Sequence, residues 1–162
     1  MNHDNLLPDN PLLSADTLPA FSKIRPEHVA PAIETLLADY REAIDALIAP
    51  AAPRDFASVM LAQERLEQRL ARAWAPVSHL HAVADAPELR AAHAQALELI
   101  TRFSSELGQN RVLCAAVQEL ARQPEFAQWP RAQRAADELA LRDFRLAGVA
   151  LEEHECTTLR EI

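Results

Sequence analysis

The stretch PEHVAPAIETLLADYREAIDALIA, residues 26–49, decides the fold class of this chain. Its apolar residues recur at intervals of three and four, the periodicity of one face of an α-helix. They are Val29, Ile33, Leu36, Leu37, Tyr40, Ile44, Leu47 and Ile48. Pro26 suits the first turn, Glu27 complements the positive helix N-terminus, and Pro31 comes early enough for its missing N–H to cost little. The stretch therefore predicts a long amphipathic helix that ends before Pro50.

Four later segments show the same periodicity, and short connections separate them. They run from Asp55 to about residue 74, over 86–108, over 110–120 and from 130 to about 146. We expect Pro76 to kink or end the second helix near Trp74, because proline removes a helix hydrogen bond. Gly108 is expected to serve as a C-cap, and Gly148 to break the fifth helix. Connections of a few residues between long helices imply antiparallel neighbours.

The composition of the chain agrees with an all-helical fold. Of 162 residues, 49% are hydrophobic and 25% charged, which is typical of one globular domain with a real core. Only two glycines are present and aromatic residues make up 5%, whereas a sheet protein with many tight turns needs more of both. The predicted fold class is all-α: an antiparallel up-and-down bundle of about five helices with an extended N-terminal arm.

The two ends of the chain differ from its middle. Residues 1–22 hold three prolines among Asn, Asp and Ser, with leucines between them, and predict an extended arm that lies against the body. Residues 23–162 form the predicted helical domain. Its last stretch, 151–162, keeps a helical rhythm without a terminating Gly, Asn or Pro. We therefore expect the sequence to stop within a helix, as a truncated piece of a longer protein does.

Charge and cysteine content exclude several classes of protein. A net charge of −8 argues against a broad nucleic-acid surface, which needs clustered basic residues. No segment is long and apolar enough to cross a membrane, and the N-terminus lacks a secretory pattern. Cys114 and Cys156 stand in dissimilar settings, and Cys114 lies in an apolar run that predicts a reduced core thiol. A cytoplasmic protein is the simplest interpretation.

His154-Glu155 is the pair that most invites a metal-site interpretation. A zinc-peptidase helix needs H-E-x-x-H, because histidines at i and i+4 meet one zinc ion from one face. Thr158 occupies the position of the second histidine. A solvated helix surface is the expectation, and we predict no metal ligand and no catalytic residue in this chain.

The roles of three other histidines are not decided by the sequence. His79 and His81 fall on opposite faces if their segment is helical, and they could share a metal ion if it is irregular. His81 could equally pair with Asp85 at the surface. His93 lies on the apolar stripe of the third helix, where a hydrogen-bonded core histidine is the default expectation. Structural roles are favoured for all three.

Charged runs and tryptophans are the remaining candidates. A solvated face with i,i+4 pairs is expected for Glu64, Arg65, Glu67, Arg69 and Arg72. Trp74 and Trp129 either anchor an interface or fill corners of the bundle, since both stand near prolines at helix ends. The fifth helix, with Arg131, Arg134, Arg142 and Arg145, either forms a partner groove or packs as an interior helix.

Three stretches together resemble the N-terminal region of one enzyme family. They are FSKIRPEHV at 21–29 with PAI at 31–33, WAPVSHL at 74–80 with PELR at 87–90, and LRDFRLAGV at 141–149 with Leu151. In this order and spacing the chain resembles the thimet-oligopeptidase family of zinc metallopeptidases, and in particular its bacterial oligopeptidase A branch. The resemblance covers nearly the whole chain.

That resemblance indicates which larger protein the chain belongs to, but it assigns no catalytic or metal-binding role to residues of this chain. Family members are several times longer and almost wholly helical, and their N-terminal helices form one wall of a channel that admits short peptides. The zinc site lies far downstream on an H-E-x-x-H helix, and no residue here matches its ligands. The implied function is a non-catalytic N-terminal domain of a zinc oligopeptidase. Its implied partners are the C-terminal catalytic part and short peptides, and zinc is implied only for the full-length protein.

A second interpretation of a different class remains open. The chain could be a stand-alone helical interaction module from a split or truncated gene. A fragment of a larger body should expose apolar surface where its missing partner packed, and two copies can pair through such a surface. A self-contained module should instead be monomeric or form a defined complex. Both interpretations predict that the isolated chain has no peptidase activity.

Overall fold

The computed structural model describes residues 10–14, 18–84 and 86–151, and within these ranges the chain is all-α without a strand. Its five helices are α1 (Pro26–Ile48), α2 (Ala62–Val83), α3 (Pro87–Gly108), α4 (Arg111–Ala121) and α5 (Arg131–Leu146). A π-helical turn, Ala57–Leu61, leads directly into α2, and 3₁₀ turns cover Phe21–Lys23 and Pro124–Gln128. The predicted all-α helical bundle is confirmed.

The chain divides into two compact units, and the helices α1, α2 and α3 each contribute to both. The first unit takes its described residues from Met1–Arg41 and Arg65–Arg102, and the second from Glu42–Glu64 and Phe103–Ile162. The division therefore falls inside α1, α2 and α3. The boundary that the sequence predicts at residue 22, between an arm and a helical domain, stays a prediction.

In the first unit, residues 10–14 lie against the start of α1. The side-chain amide of Asn10 donates a hydrogen bond of 2.9 Å to the carbonyl of His28. The Oδ1 atom of Asn10 accepts one of 3.0 Å from the N–H of Leu12, whose side chain is buried. The apolar side chains buried in this unit are Leu12, Val29, Ala32, Ile33, Leu36, Leu37, Tyr40, Ala73, Val77, Leu89 and Ala96. The helix stripe predicted for residues 26–49 therefore does face the interior.

Helix α2 runs through Pro76 to Val83, so a helix end near Trp74 is wrong. The reason lies in tertiary packing. Pro76 is buried together with Ala73 and Val77, which have exposed fractions of only 1% and 0%. An interior proline costs a helix about 3 kcal/mol, and burial of a large side chain contributes about 1.5–3 kcal/mol. Burial of this face offsets the cost of the proline.

In the second unit, side-chain caps begin two helical segments where the sequence places them. The Oδ1 atom of Asn110 accepts hydrogen bonds from the N–H groups of Val112 and Leu113, at 3.1 and 2.9 Å, and so caps α4. Asp55 Oδ1 accepts one of 2.8 Å from the N–H of Ser58, and Ser58 Oγ accepts one of 3.0 Å from the N–H of Asp55. This reciprocal pair has the pattern of a capping box. Helix α4 buries its apolar face and packs against α5.

The two glycines play different parts from each other. Gly148 has a φ of 83°, and the N–H of Val149 donates to the carbonyl of Phe144, which is the closing pattern of a Schellman motif. Gly148 therefore ends α5 as predicted. Gly108 is itself the last residue of α3 and is not among the glycines with positive φ. The helix therefore ends at Gly108 as predicted, but without the left-handed conformation that is usual for a glycine at a helix end. The missing side chain of Gly108 instead makes room for Ala147, because an added Cβ would lie 2.7 Å from the Ala147 Cβ.

Candidate functional site: an aromatic and histidine patch

Three rings of the first unit stack in a column. The Trp74 and His93 rings lie 4.6 Å apart between centroids at an interplanar angle of 27°. The His81 and His93 rings lie 4.1 Å apart at 13°. Trp74 and His81 are seven residues apart on α2, two turns or about 10.5 Å of rise. This spacing lets the imidazole of His93, from α3, enter between them.

The electrostatics of the column favour an uncharged imidazole at its centre. The pKa of His93 is lowered, first by burial and then by the neighbouring His81. Two positive charges at this separation would repel each other by about 4 kcal/mol at the effective dielectric constant typical near a protein surface. The neighbouring His81 therefore adds to the effect of burial in opposing protonation of His93. All three residues are half-buried, so each of them stays partly accessible to solvent.

His79 stands outside this column and belongs to a second ring contact. It is exposed and packs at 5.5 Å between centroids, in an edge-to-face arrangement, against Phe21. His79 and His81 are thus two residues apart on one helix and touch different partners, as their spacing predicts for opposite faces. We refer to Phe21, Trp74, His79, His81 and His93 together as the ring patch.

Two expectations about these residues change with the structure. His93 is not a core histidine held by hydrogen bonds, because it is half-buried and stacked between two rings. The apolar stripe correctly indicates that His93 lies on the inward side of α3. It does not show that α2 places two aromatic rings at the height where they can stack on His93. Asp85, the proposed surface partner of His81, lies outside the described residues.

The ring patch does not have the donor arrangement of a metal centre. Within the described ranges, no three or more His, Cys, Asp or Glu side chains are grouped so that they could hold a metal ion. Stacked imidazoles present their faces to each other, whereas the nitrogen lone pairs lie in the ring planes and do not converge. Zinc, which the sequence resemblance implies for the full-length protein, is therefore not fitted by this part of the chain. His154 and Glu155 lie outside the described residues.

The other sequence candidates take structural positions. Trp129 packs edge-to-face on Phe56 at 5.6 Å and tilted on Phe126 at 5.3 Å, which agrees with filling a corner. Arg69 pairs with Asp39 at 3.1 Å on an exposed surface, as a solvated charged face predicts. Cys114 is a buried free thiol, and burial raises its pKa. Cys156 lies outside the described residues.

Sequence reasoning missed two residues that the structure brings forward. The guanidinium of Arg54 donates to the carbonyls of Leu47 and Ile48, at 2.8 and 3.2 Å, at the end of α1. The sequence does contain a signal for this cap, because a basic residue that follows a helix end closely can donate hydrogen bonds to the last carbonyls of the helix. Asp137 on α5 is fully buried, and neither of its carboxylate oxygens has a hydrogen-bond partner. Burial, and then Glu138, raise its pKa to about 6. Its place in an alanine-rich charged helix gave no signal.

Fold and site together define an all-α domain in which His81 and His93 stack with Trp74 instead of forming a ligand set. Comparison with known proteins gives the family. Residues 33–156 match the family model of the neurolysin/thimet oligopeptidase N-terminal domain, and the chain belongs to this family.

Individual relatives agree with the family assignment. The chain is 40% identical over 154 residues to "Oligopeptidase A" of Haemophilus influenzae, and 39% identical over 153 residues to "Oligopeptidase A" of Escherichia coli. It is 29% identical over 156 residues to "Probable cytosolic oligopeptidase A" of Arabidopsis thaliana. Each match covers 94% of this chain but only 22% of the relative. The chain therefore corresponds to the N-terminal domain of oligopeptidase A-like peptidases. Among its described helices, none has the length and apolar character to cross a membrane.

Proposed function

We propose that this chain works as the N-terminal wall of a peptide-confining channel in a longer, zinc-dependent oligopeptidase. In this role it selects and positions short peptides, and the catalytic residues and zinc ligands belong to the remainder of the protein. The partner of the domain is that catalytic remainder. The observation that carries the proposal is the match to an N-terminal domain that makes up only 22% of the relatives' length.

The chemistry of the described residues supports a role in confinement. We assign hydrolysis to residues elsewhere in the protein; among the described residues no group of His, Cys, Asp or Glu is arranged to hold a metal ion. The alternative of a stand-alone interaction module is favoured by no observation, whereas the family match favours a domain of a peptidase. We place the protein in the cytoplasm. One relative is named a cytosolic oligopeptidase A, which agrees with that placement.

The ring patch is the part of the chain that we propose for peptide contact, through the column of Trp74, His81 and His93 on one side of α2 or through Phe21 and His79 on the other. Its half-buried imidazoles combine an apolar face with hydrogen-bonding edges, a combination that suits a backbone and side chains of varied sequence. The lowered pKa of His93 leaves a neutral ring near pH 7, which can accept or donate a hydrogen bond. The exposed His79 and half-buried His81 offer two such edges on different sides of α2.

The test uses the longer protein that carries this sequence. His79→Ala and His81→Ala are made in it, and kcat/KM is measured for a series of peptides of increasing length. If the ring patch contacts substrate, at least one variant lowers kcat/KM by about threefold to tenfold, since a lost hydrogen bond costs roughly 1 kcal/mol. The loss should depend on peptide length. A chelator should abolish the activity of the longer protein.

Val112→Ala is the matched control, because Val112 is an exposed apolar side chain on α4, in the unit that does not contain the ring patch. It should leave the length profile unchanged. If both histidine variants also leave the profile unchanged, alanine substitutions on both faces of α1 extend the search. Unchanged length selectivity in all of these variants would refute the role as a channel wall.

A further inference from the structure

Helix α5 carries apolar residues on two opposite sides, and only one side is used within the described chain. Its inner side packs against α4 and buries Phe144. On the other side stand Ala132, Ala135, Leu139 and Leu146, all exposed. We call these four residues the outer seam. Its two leucines have exposed fractions of 48% and 73%, although both are large and apolar.

The spacing of the outer seam fits a helix as its occupant. Ala132, Leu139 and Leu146 are seven residues apart, and Ala135 stands three residues after the first. Ala132, Leu139 and Leu146 thus hold the a positions of a heptad and Ala135 one d position, whereas the next d position is Arg142, so the apolar stripe is interrupted there. A helix that only borders solvent needs one apolar side, so a second side at heptad spacing indicates a second packing partner.

We propose that the outer seam of α5 docks a helix from the remainder of the longer protein. This inference rests on the proposed function, because it needs the rest of an oligopeptidase A-like chain to be present. The relatives are several times longer than the matched region, which is 22% of their length, so ample chain is available to cover the seam.

The charges beside the seam indicate the chemistry of the docking helix. Helix α5 carries four arginines against three acidic residues, one of them the buried Asp137, in a chain whose net charge is −8. At the heptad positions that flank the seam the charges are mixed, because Arg131 and Arg145 are basic whereas Glu138 and Asp143 are acidic. The docking helix should present apolar residues at heptad spacing, with Asp or Glu opposite Arg131 and Arg145 and basic residues opposite Glu138 and Asp143. Such flanking pairs fix partner and orientation more than they add affinity.

The experiment measures how accessible the seam is in the longer protein. Leu139→Cys and Leu146→Cys are each made in that protein with Cys156→Ser as background, and labelling by a small thiol reagent is timed. Cys114 contributes little signal, because it is buried with a raised pKa. Each rate is divided by the rate of the same variant unfolded in concentrated urea. We expect labelling at both positions to be at least tenfold slower in the folded longer protein.

The same variants in the 162-residue chain give the comparison. There both positions should label within a few fold of the unfolded rate, and Leu146→Asp should leave Tm unchanged. In the longer protein Leu146→Asp should lower Tm. Val112→Cys reports on another exposed apolar position of the same unit, on α4. If Val112→Cys labels equally fast in the longer protein and in the 162-residue chain, slower labelling at Leu139→Cys and Leu146→Cys is confined to the seam.

The outcomes separate this inference from the proposed function. Fast labelling at both seam positions in an active longer peptidase would overturn the docking and leave the proposed function standing. Protection in the 162-residue chain that grows with its concentration, together with a dimer in analytical ultracentrifugation, would assign the seam to a second copy. That result also overturns the proposal. If intact mass spectrometry of cell extract finds only the 18.0 kDa form, both the proposed function and the docking fail.

Discussion

The backbone of Gly108 lies so close to Ala147 that a methyl group added at Gly108 would stand 2.7 Å from the Ala147 methyl. The end of α3 and the end of α5 therefore meet without room for one more carbon atom. The side-chain amide of Gln109 donates a hydrogen bond of 3.2 Å to the Ala147 carbonyl at the same corner. Arg111 donates one of 2.6 Å to the carbonyl of Leu151, the last described residue. The corner is thus fixed by close packing and by two bonds to backbone.

Gly108→Ala should lower the free energy of unfolding by about 1–3 kcal/mol, the usual cost of forcing a methyl group into a packed site. The new carbon would meet the Ala147 Cβ, which has no flexible side chain that could move aside. The higher helix propensity of alanine offsets at most about 1 kcal/mol. Urea denaturation of the 162-residue chain, followed by circular dichroism, measures the difference.

The control for this substitution is the double variant Gly108→Ala with Ala147→Gly. Removing the opposing methyl group relieves the clash, so the double variant should be more stable than the sum of the single variants predicts. Additive effects would show that Gly108 is needed for a reason other than contact with Ala147.

Arg54→Ala should lower the free energy of unfolding by about 2 kcal/mol. The substitution removes a charged group that donates hydrogen bonds to several backbone carbonyls at the end of α1. Its guanidinium reaches the carbonyls of Leu47, Ile48 and Ala49 within 3.2 Å. Arg54→Lys keeps the charge but loses the planar fork, and should recover only part of the loss. Thermal and urea unfolding of the three proteins test this order.

Glu119→Gln separates the carbonyl cap from the ion pair that Arg54 also makes. Arg54 Nε lies 3.2 Å from Glu119 Oε2, but the Glu119 side chain is 54% exposed. An exposed pair of this kind contributes less than about 1 kcal/mol. A loss for Glu119→Gln equal to that for Arg54→Ala would contradict the assignment of the main effect to the cap.

The sequence predicts the helices well, because periodicity and capping residues act locally. Pro26 and the three-four stripe placed α1, and Asn110 and Gly148 marked helix ends that the structure confirms. The errors fall where tertiary packing outweighs local preference. Pro76 stays inside α2 because its face is buried. Tertiary packing also sets the close contact of Gly108 with Ala147, which no local pattern reveals.

The ring patch was less predictable than the fold. The i, i+7 relation of Trp74 and His81 is visible in the sequence, but the ring that enters between them comes from α3. Its position depends on the register of two helices, which no local pattern sets. Asp137 is harder still. An acidic residue on a charged helix is expected at the surface, and only the packing of the unit shows that it is buried.

His81→Gln should raise the pKa of His93, because it removes a neighbouring positive charge that now opposes protonation of His93. The folded state binds the His93 proton less readily than the unfolded state does. The corresponding stability is therefore fully present above the ordinary histidine pKa, near 6.5, and is lost as the pH falls through the lowered folded value. Titration of the histidine ring protons by NMR measures the shift directly. His79→Gln is the matched control, and an equal shift in that variant would contradict a local origin.

Asp137→Asn should make the stability of the chain less dependent on pH and should stabilise it at neutral pH. The pKa of Asp137 is raised to about 6 from an ordinary value of 3.8. Between these values the folded state holds a proton that the unfolded state has released, so the free energy of unfolding falls as the pH rises from about 4 to about 6. The full fall is about 3 kcal/mol at 1.36 kcal/mol for each pKa unit. Above pH 6 the charged carboxylate stays buried without a hydrogen-bond partner.

Comparing Asp137→Asn with Glu138→Gln over the pH range tests the physical cause of that fall. Asparagine has nearly the shape of the protonated acid and cannot ionise, so the variant should match the original chain near pH 4 and exceed its stability near pH 7. Glu138→Gln removes only the second cause of the raised pKa, the neighbouring negative charge. Because burial comes first, most of the fall should remain in this variant. If the stability of Glu138→Gln no longer falls between about pH 4 and about pH 6, repulsion between the two carboxylates, and not desolvation, sets the pKa of Asp137.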